Sequence, residues 1–232
     1  MKLELKNLSK NFSKNEVLKN IDFTFEEGKI YGLLGRNGSG KTTLFNCIND
    51  DLSYNGDIYL LDDKDKKKEL KSDNIGYTVS NPIVPEFLTG KEFLTYFIDI
   101  NKDRIPDLKT PEEYFDMMNL DKKDMNKLLK DYSFGMKTKI QMLVNIILNT
   151  KVLLLDEPLT SLDVVASEEM KEHLLKLKKN HILIFSTHIM ELALELCDEI
   201  VILNEGKLHL VPKKKKNKEY IIDYLKGDID DK

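Results

Sequence analysis

The chain has 232 residues, and 41% of them are hydrophobic, which suits a globular protein with a sizeable core and excludes a disordered one. Its 40 acidic and 36 basic residues leave a net charge of −4, so the charge gives no reason to expect nucleic acid as a partner. We find no signal peptide and no apolar run near the roughly 18–20 residues of a membrane-spanning helix, so we expect another chain to cross any membrane at which this one works.

Short apolar runs along the chain predict strands. Near-alternating apolar residues in 3–8 and 21–25 are typical of half-buried strands. The compact run at 30–34 and two later runs at 152–155 and 182–185 are typical of strands buried on both faces. Because helical patterns separate these runs, they predict a parallel sheet in an α/β fold.

The middle of the chain is predicted to be helical. Thr110 followed by Pro111 and two glutamates is typical of a helix start, with a capping hydroxyl and acids near the positive end of the helix dipole. Five apolar residues between 140 and 148 follow the spacing of an amphipathic helix. We therefore expect a helical subdomain at about 85–150, inserted into the α/β core.

Near the C-terminus the sequence predicts a hairpin and then a polar tail. Apolar residues at 200–203 and 207–210 flank a turn sequence at 204–206. The segment 212–232 is polar and includes lysines between 213 and 218 that could touch anionic lipid. Acidic residues follow closely, so a solvated tail is the favoured interpretation.

A complete phosphate-binding motif follows the strand predicted at 30–34. The motif G-x-x-x-x-G-K-[ST] is filled by Gly35, Arg36, Asn37, Gly38, Ser39, Gly40, Lys41 and Thr42, and Thr43 follows it. Its glycines let several N–H groups converge on one oxyanion, and the start of the next helix adds partial positive charge. Lys41 would reach the β- and γ-phosphates, and the Thr42 hydroxyl would bind Mg²⁺. An accidental glycine-rich turn is the disfavoured alternative, because the motif has the strand before it and the helix after it that it requires.

Two adjacent acids end the strand predicted at 152–155. Two carboxylates at the tip of a core strand repel each other and resist burial unless a cation or a polar cleft receives them. We therefore predict that Asp156 binds Mg²⁺, directly or through water, and that Glu157 is the general base for the attacking water. A solvated strand end before a turn at Pro158 is the alternative.

Together these motifs resemble the ABC ATPase family over nearly the whole chain. Residues 131–136 resemble a variant of the family's LSGGQ signature, and residues 161–163 resemble its D-loop, which lies along the dimer interface. The resemblance implies that Ser133 and Gly135 bind the γ-phosphate held by the opposite subunit, at a helix N-terminus. It also implies that His188 is the switch histidine that contacts the γ-phosphate.

The resemblance also implies adenine contacts and a fold. Phe12 matches the aromatic residue that stacks on adenine, and Val17 is an apolar contact nearby, although a core aromatic is the alternative role for Phe12. The implied fold is a P-loop NTPase, with a RecA-like core of mostly parallel sheet, an N-terminal antiparallel β subdomain and the inserted helical subdomain. The ATPase domain would cover 1–211, with its core at 1–84 and 151–211.

The sequence departs from the family at the position of a glutamine that touches Mg²⁺ and the attacking water. Alignment on the Gly-Tyr pair after Ile75 places Ser80 there, so Ser80 is predicted as a catalytic residue and a metal ligand. A serine is shorter, so a bridging water would be needed, or Asn81 would serve instead.

The signature also differs from the family pattern. Tyr132, Phe134 and Met136 replace a leucine, a glycine and a glutamine, while the serine and the second glycine remain. These variants, together with the segment 88–94, resemble drug, lantibiotic or other small-molecule exporters of the ABC-2 type.

The function implied by this resemblance is ATP hydrolysis that drives a transporter. Two subunits, identical or different, would close head to tail on two MgATP and power an integral membrane permease, most simply an exporter, from the cytoplasmic face of the membrane. A soluble mechanical ABC ATPase acting on DNA or ribosomes is the alternative, but such proteins usually carry long coiled coils or two cassettes. A catalytically silent regulator is disfavoured because Lys41, Asp156, Glu157 and His188 are all present.

Overall fold

The computed structural model describes residues 1–160 and 162–228, which form ten strands and seven α-helices. The strands are β1 (Lys2–Phe12), β2 (Asn15–Glu26), β3 (Ile30–Leu34), β4 (Asn55–Leu61), β5 (Lys67–Glu69), β6 (Ile75–Thr78), β7 (Val152–Asp156), β8 (Ile182–Thr187), β9 (Glu199–Asn204) and β10 (Lys207–Leu210). The helices are α1 (Lys41–Ile48), α2 (Gly90–Asn101), α3 (Pro111–Met117), α4 (Phe134–Ile147), α5 (Val164–Leu177), α6 (Met190–Leu196) and α7 (Lys218–Lys226).

The larger sheet has the strand order β10-β9-β3-β8-β7-β6, and its strands run parallel except for β10. Its central strands β3, β7 and β8 are buried along their whole length. Alternate residues of β7 face different cores: Leu153 and Leu155 belong to the core that contains α4 and α5, and Val152 and Leu154 to the core that contains α1. Burial on both faces explains the unbroken apolar runs, and the predicted parallel sheet is confirmed.

The smaller sheet is antiparallel, with the order β2-β1-β4-β5. Leu3 pairs with Phe25 and Leu5 with Phe23, and the three residues Leu3, Leu5 and Phe25 are fully buried. Their side chains belong to the same core as α1, so this sheet covers one face of the larger one. The predicted N-terminal antiparallel part of the fold is confirmed.

Three α-helices, α2, α3 and α4, lie between β6 and β7 in the chain. Thr110 caps α3, as predicted, because its hydroxyl accepts a hydrogen bond from the Glu113 N–H. The Glu113 carboxylate also accepts one from the Thr110 N–H, which was not predicted. Helix α4 begins after Ser133 and contains the amphipathic stretch predicted at 140–148 except for its last residue. The helical subdomain that we propose at 85–150 contains α2, α3 and α4. None of the helices described has the length and apolar character needed to span a membrane.

The hairpin predicted near the C-terminus is confirmed, and a helix lies within the segment predicted as a polar tail. β9 and β10 pair antiparallel around a turn at Glu205 and Gly206, both with positive φ. Beyond them the chain forms α7, in which Ile221 and Tyr224 are buried. Their spacing of three residues puts both on one helix face, so a segment that is polar on average still has an apolar side to pack.

Candidate active site

The phosphate-binding motif forms the loop between β3 and α1. Gly38 and Gly40 have φ of +80° and +106°, a region that side-chain-bearing residues rarely adopt. At Gly40 a Cβ atom would also lie 2.8 Å from Val17 Cγ1. The loop therefore depends on glycine both for its turn and for its close approach to β2.

Two polar side chains of this loop are buried without a full set of partners. Lys41 is 7% exposed, and its Nζ donates to the carbonyl oxygens of Gly35 at 2.9 Å and Arg36 at 3.3 Å. Burial lowers the pKa of Lys41, and the carboxylates of Glu157 and Asp156 act in the opposite direction. The Ser39 hydroxyl is buried and has no hydrogen-bond partner among the residues described. An ammonium and a free hydroxyl on one loop fit an anionic ligand.

Asp156 and Thr42, the predicted metal ligands, are in contact. Thr42, in the first turn of α1, donates its hydroxyl proton to Asp156 Oδ2 at 2.8 Å. Asp156 is the last residue of β7 and is 4% exposed. Its other oxygen, Oδ1, accepts a hydrogen bond from the Ser186 hydroxyl at the end of β8.

Glu157 and His188, the predicted catalytic pair, are also brought together. His188 Nδ1 lies 3.0 Å from Glu157 Oε2, and the Thr160 hydroxyl donates to the same oxygen at 3.2 Å. Glu157 has a φ of +51°, and its N–H donates to the Ser186 hydroxyl oxygen at 3.0 Å. Contacts to both its side chain and its main chain thus hold this carboxylate beside the phosphate loop.

Lys41, Thr42 and Glu157 line a cavity of about 490 Å³, which we call the phosphate-loop cavity. Asp156 and His188 contact Thr42 and Glu157 but do not line it. Its lining residues are Phe12, Val17, Asn37, Gly38, Gly40, Lys41, Thr42, Thr43 and Glu157. Phe12 is 44% exposed, which favours the predicted adenine contact over a core role, and the Lys10 ammonium lies over its ring, 4.9 Å from the ring centre. Gly35 and Arg36 contribute through their carbonyl contacts with Lys41 rather than as lining residues.

The signature residues lie in a different cavity, of about 520 Å³, which we call the signature cavity. Its lining residues are Asn119, Leu120, Asp121, Asp124, Ser133, Phe134, Gly135, Met136, Lys139, Leu162, Asp163 and Ala166. Ser133 caps α4 by accepting a hydrogen bond from the Met136 N–H at 3.2 Å. Leu162 and Asp163 of the predicted D-loop line this cavity, whereas Ser161 lies outside the described residues. The two cavities share no lining residue.

Ser80 and Asn81 line a third cavity, together with Tyr132, Phe134 and Lys137. Neither residue lines the phosphate-loop cavity. They follow β6, the edge strand of the large sheet, and so lie one strand beyond β7 with its acid pair. The contact of Ser80 with the metal and the attacking water stays a prediction.

Comparison with known proteins decides the family. The ABC transporter family matches residues 18–160 of the chain. The uncharacterized ABC transporter ATP-binding proteins YhcH and YdbJ of Bacillus subtilis (strain 168) are 32% and 31% identical to it; each alignment covers 89% of this chain, and 68% and 67% of the respective relative. The chain belongs to the ABC transporter family of ATP-binding proteins. A solved ATP-binding subunit of an ABC transporter, 24% identical, shares the fold with a TM-score of 0.75 over 98% of this chain and 94% of that one.

Membership establishes the activity in general terms. The protein is an ATP-binding subunit of the ABC transporter type and an ATPase, as the sequence predicted. The α/β fold, with its mostly parallel sheet and separate antiparallel sheet, is the fold of its ABC neighbours.

Two side chains of this ABC ATPase site were not predicted from the sequence. Thr160 contacts Glu157, and Ser186 contacts both acids. The signal available for Ser186 was its place two residues before His188, at the end of a core strand. Nothing in the local sequence shows that this strand lies next to β7.

Replacing Gly40 by alanine tests the close approach of the loop to β2. We expect Gly40→Ala to lower the free energy of unfolding by more than the roughly 1–2 kcal/mol of left-handed strain, and to weaken ATP binding, because its Cβ meets Val17. Gly28→Ala is the matched control, since Gly28 has a φ of +85° with no atom within 4 Å of the added Cβ. Denaturant unfolding and ATP titration measure both effects; equal values for the two variants would exclude a role for the Val17 contact.

Proposed function

We propose that two copies of this subunit associate head to tail and close on two MgATP, each phosphate-loop cavity facing the signature cavity of the other copy. The observation that supports this arrangement is the separation of the two phosphate-binding segments within one chain. The Lys41 ammonium and the Ser133 helix start line cavities without a common residue. A second chain would complete each site. ATP would stabilise the closed pair more than ADP does, because only ATP carries a γ-phosphate.

In the closed pair, residues that line the phosphate-loop cavity and His188 beside it have different roles in hydrolysis. Glu157 accepts the proton of the attacking water. His188, whose Nδ1 lies 3.0 Å from the Glu157 carboxylate, orients that carboxylate. Lys41 stabilises the charge on the phosphate oxygens from a buried position, where an ammonium acts more strongly than in water. Phe12 and Val17 receive the adenine.

The residues present fit Mg²⁺. The Thr42 hydroxyl and the Asp156 carboxylate supply two adjacent hard oxygen atoms. No group of three or more His, Cys, Asp or Glu residues that could hold a metal alone is found in the described part of the chain. This suits a Mg²⁺ ion that takes one carboxylate and one hydroxyl from the protein, and its remaining ligands from phosphate and water. Bound there, the ion would neutralise charge on the phosphate oxygens.

We propose that the partner driven by this subunit is an integral membrane permease, and that the subunit works at the cytoplasmic face of the membrane. The segment after β6 carries two large apolar side chains that are almost fully exposed, Ile83 at 77% and Phe87 at 79%. Ile83 lines the same cavity as Ser80, so an exposed apolar surface adjoins it. The resemblance of the signature and of segment 88–94 to ABC-2 exporters supports export as the direction.

Light scattering tests the closed pair. We expect Glu157→Gln protein of 26.9 kDa to double its mass in MgATP and to stay single in MgADP. Lys41→Ala in the same background is the control and stays single in both. A Glu157→Gln protein that remains single at saturating MgATP contradicts the head-to-tail pair.

Copurification tests the transporter partner. Tagged Glu157→Gln protein is purified with MgATP from detergent-solubilised native membranes, and the proteins that accompany it are identified. A polytopic membrane protein in fixed ratio is the expected result. Recovery with ribosomes, with DNA or without any partner would instead favour the mechanical or regulatory alternatives.

A further inference from the structure

The Ser186 hydroxyl connects the two acids of the site from a position without solvent contact. Ser186 is fully buried near the end of β8, where it lies directly opposite Asp156 of β7 in the parallel register. Its oxygen accepts the N–H of Glu157 at 3.0 Å, and its proton is donated to Asp156 Oδ1. One side chain thus touches the predicted metal ligand and the main chain of the predicted base.

We propose that Ser186 is a positioning residue that sets the Asp156 carboxylate for Mg²⁺ and the Glu157 carboxylate for the attacking water. The proposal rests on the proposed function, because it assigns these two roles to the acids. Ser186 does not line the phosphate-loop cavity, so it acts through its neighbours.

The direction of the hydrogen bonds supports the first half of the proposal. A backbone N–H can only donate, so the Ser186 oxygen must accept from Glu157 and must use its own proton elsewhere. Ser186 donates that proton to Asp156 Oδ1, so this oxygen acts as a hydrogen-bond acceptor. Since Oδ2 accepts from Thr42, both oxygens of Asp156 are oriented as acceptors, which is the form that binds a cation.

The backbone of Glu157 supports the second half. Its φ of +51° is unfavourable for a residue with a side chain, and such a conformation persists only where the surroundings hold it. The Ser186 oxygen holds the N–H of this residue, while Thr160 and His188 contact its carboxylate. Without Ser186, the base would lose the one contact described here to its main-chain N–H.

A purely structural role for Ser186 predicts a different result from a positioning role. Deleting a buried hydroxyl lowers the free energy of unfolding when its former partner is left without a hydrogen bond, whether or not that partner takes part in catalysis. The matched control is Thr150→Val, because Thr150 is also buried and its hydroxyl donates to the Asn145 carbonyl oxygen. Thr150 lies just before β7, at the opposite end of that strand from the two acids. Both variants should lower the melting temperature.

The test compares Ser186→Ala with Thr150→Val in the Glu157→Gln background for binding and in the wild type for turnover. For Ser186→Ala we expect the ATP affinity in EDTA to change by less than about twofold. The gain in ATP affinity on adding Mg²⁺ should fall about tenfold. Turnover should fall by about 10- to 100-fold, which is the range for losing a hydrogen bond to a charged group. We expect Thr150→Val to leave the gain in ATP affinity on adding Mg²⁺ as it is in Glu157→Gln, and to leave turnover as it is in the wild type.

Two outcomes would overturn the proposal: a Mg²⁺ effect in Ser186→Ala equal to that of Thr150→Val, or equal turnover in the two variants. Should Ser186→Ala not fold, Ser186→Cys decides in the same way, because its thiol is only a weak donor and acceptor. If the Glu157→Gln parent itself shows no Mg²⁺-dependent binding, the proposed function fails before Ser186 is tested, so the two failures are distinct.

Discussion

We expect Glu157→Gln to bind ATP normally and to hydrolyse it about 10²–10⁴-fold more slowly than the wild type, the usual range for losing a general base. The amide keeps the size of the side chain and can still contact His188 and Thr160, but it cannot accept the proton of the water. The phosphate loop and Asp156 are unchanged, so the affinity for ATP is retained.

Steady-state phosphate release and ATP titration measure the two effects for Glu157→Gln. Glu205→Gln is the matched control, because Glu205 has nearly the same φ, +50°, but sits in the β9–β10 turn outside the cavity lining. It should keep full turnover. Near-normal turnover in Glu157→Gln would remove Glu157 from its proposed role.

The second large effect is expected for Lys41→Ala, which should weaken ATP binding by at least about 100-fold, the equivalent of one or two charge-assisted hydrogen bonds. The ammonium is buried, and its bonds to the carbonyls of Gly35 and Arg36 aim it along the phosphate loop. Alanine removes both the charge and the two hydrogen bonds to the loop carbonyls.

Isothermal titration with ATP measures the loss, and Lys139→Ala controls for the deletion of a buried lysine. Lys139 is 6% exposed, pairs with Glu169 and lines the signature cavity, so within a single chain it lies outside the phosphate-loop cavity. We expect Lys139→Ala to lower stability and to leave the ATP affinity of the single chain unchanged. Unaltered binding in Lys41→Ala would contradict the phosphate-loop assignment.

Features set by neighbouring residues were predictable from the sequence. The glycines and Lys41 of the phosphate loop lie within eight consecutive residues, so the sequence motif alone predicts that these residues form one loop. The central strands are buried on both faces, so their apolar runs are unbroken. The cap at Thr110 depends on a residue three positions away.

Features set by distant pairing were not predictable. Ser186 touches Asp156 because β7 and β8 are neighbouring strands whose pairing joins residues 30 positions apart, and the residues around each position do not show which strands pair. Helix α7 was missed although its local signals are present: Asn217 caps its start, Gly227 ends it, and Ile221 and Tyr224 lie on one face. The local sequence also does not show that Ser80, after the edge strand β6, lines a cavity other than the phosphate-loop cavity.

The separation of the phosphate-loop cavity from the signature cavity has a genetic consequence. If each working site needs one intact cavity of each kind, from different copies, a copy that lacks Lys41 spoils only one of the two sites of its pair. With half of the subunits defective in this way and random pairing, about a quarter of the pairs keep two sites, half keep one and a quarter keep none. Two defective alleles of opposite kind, one lacking Lys41 and one lacking Ser133, could still restore one working site when they meet in the same cell.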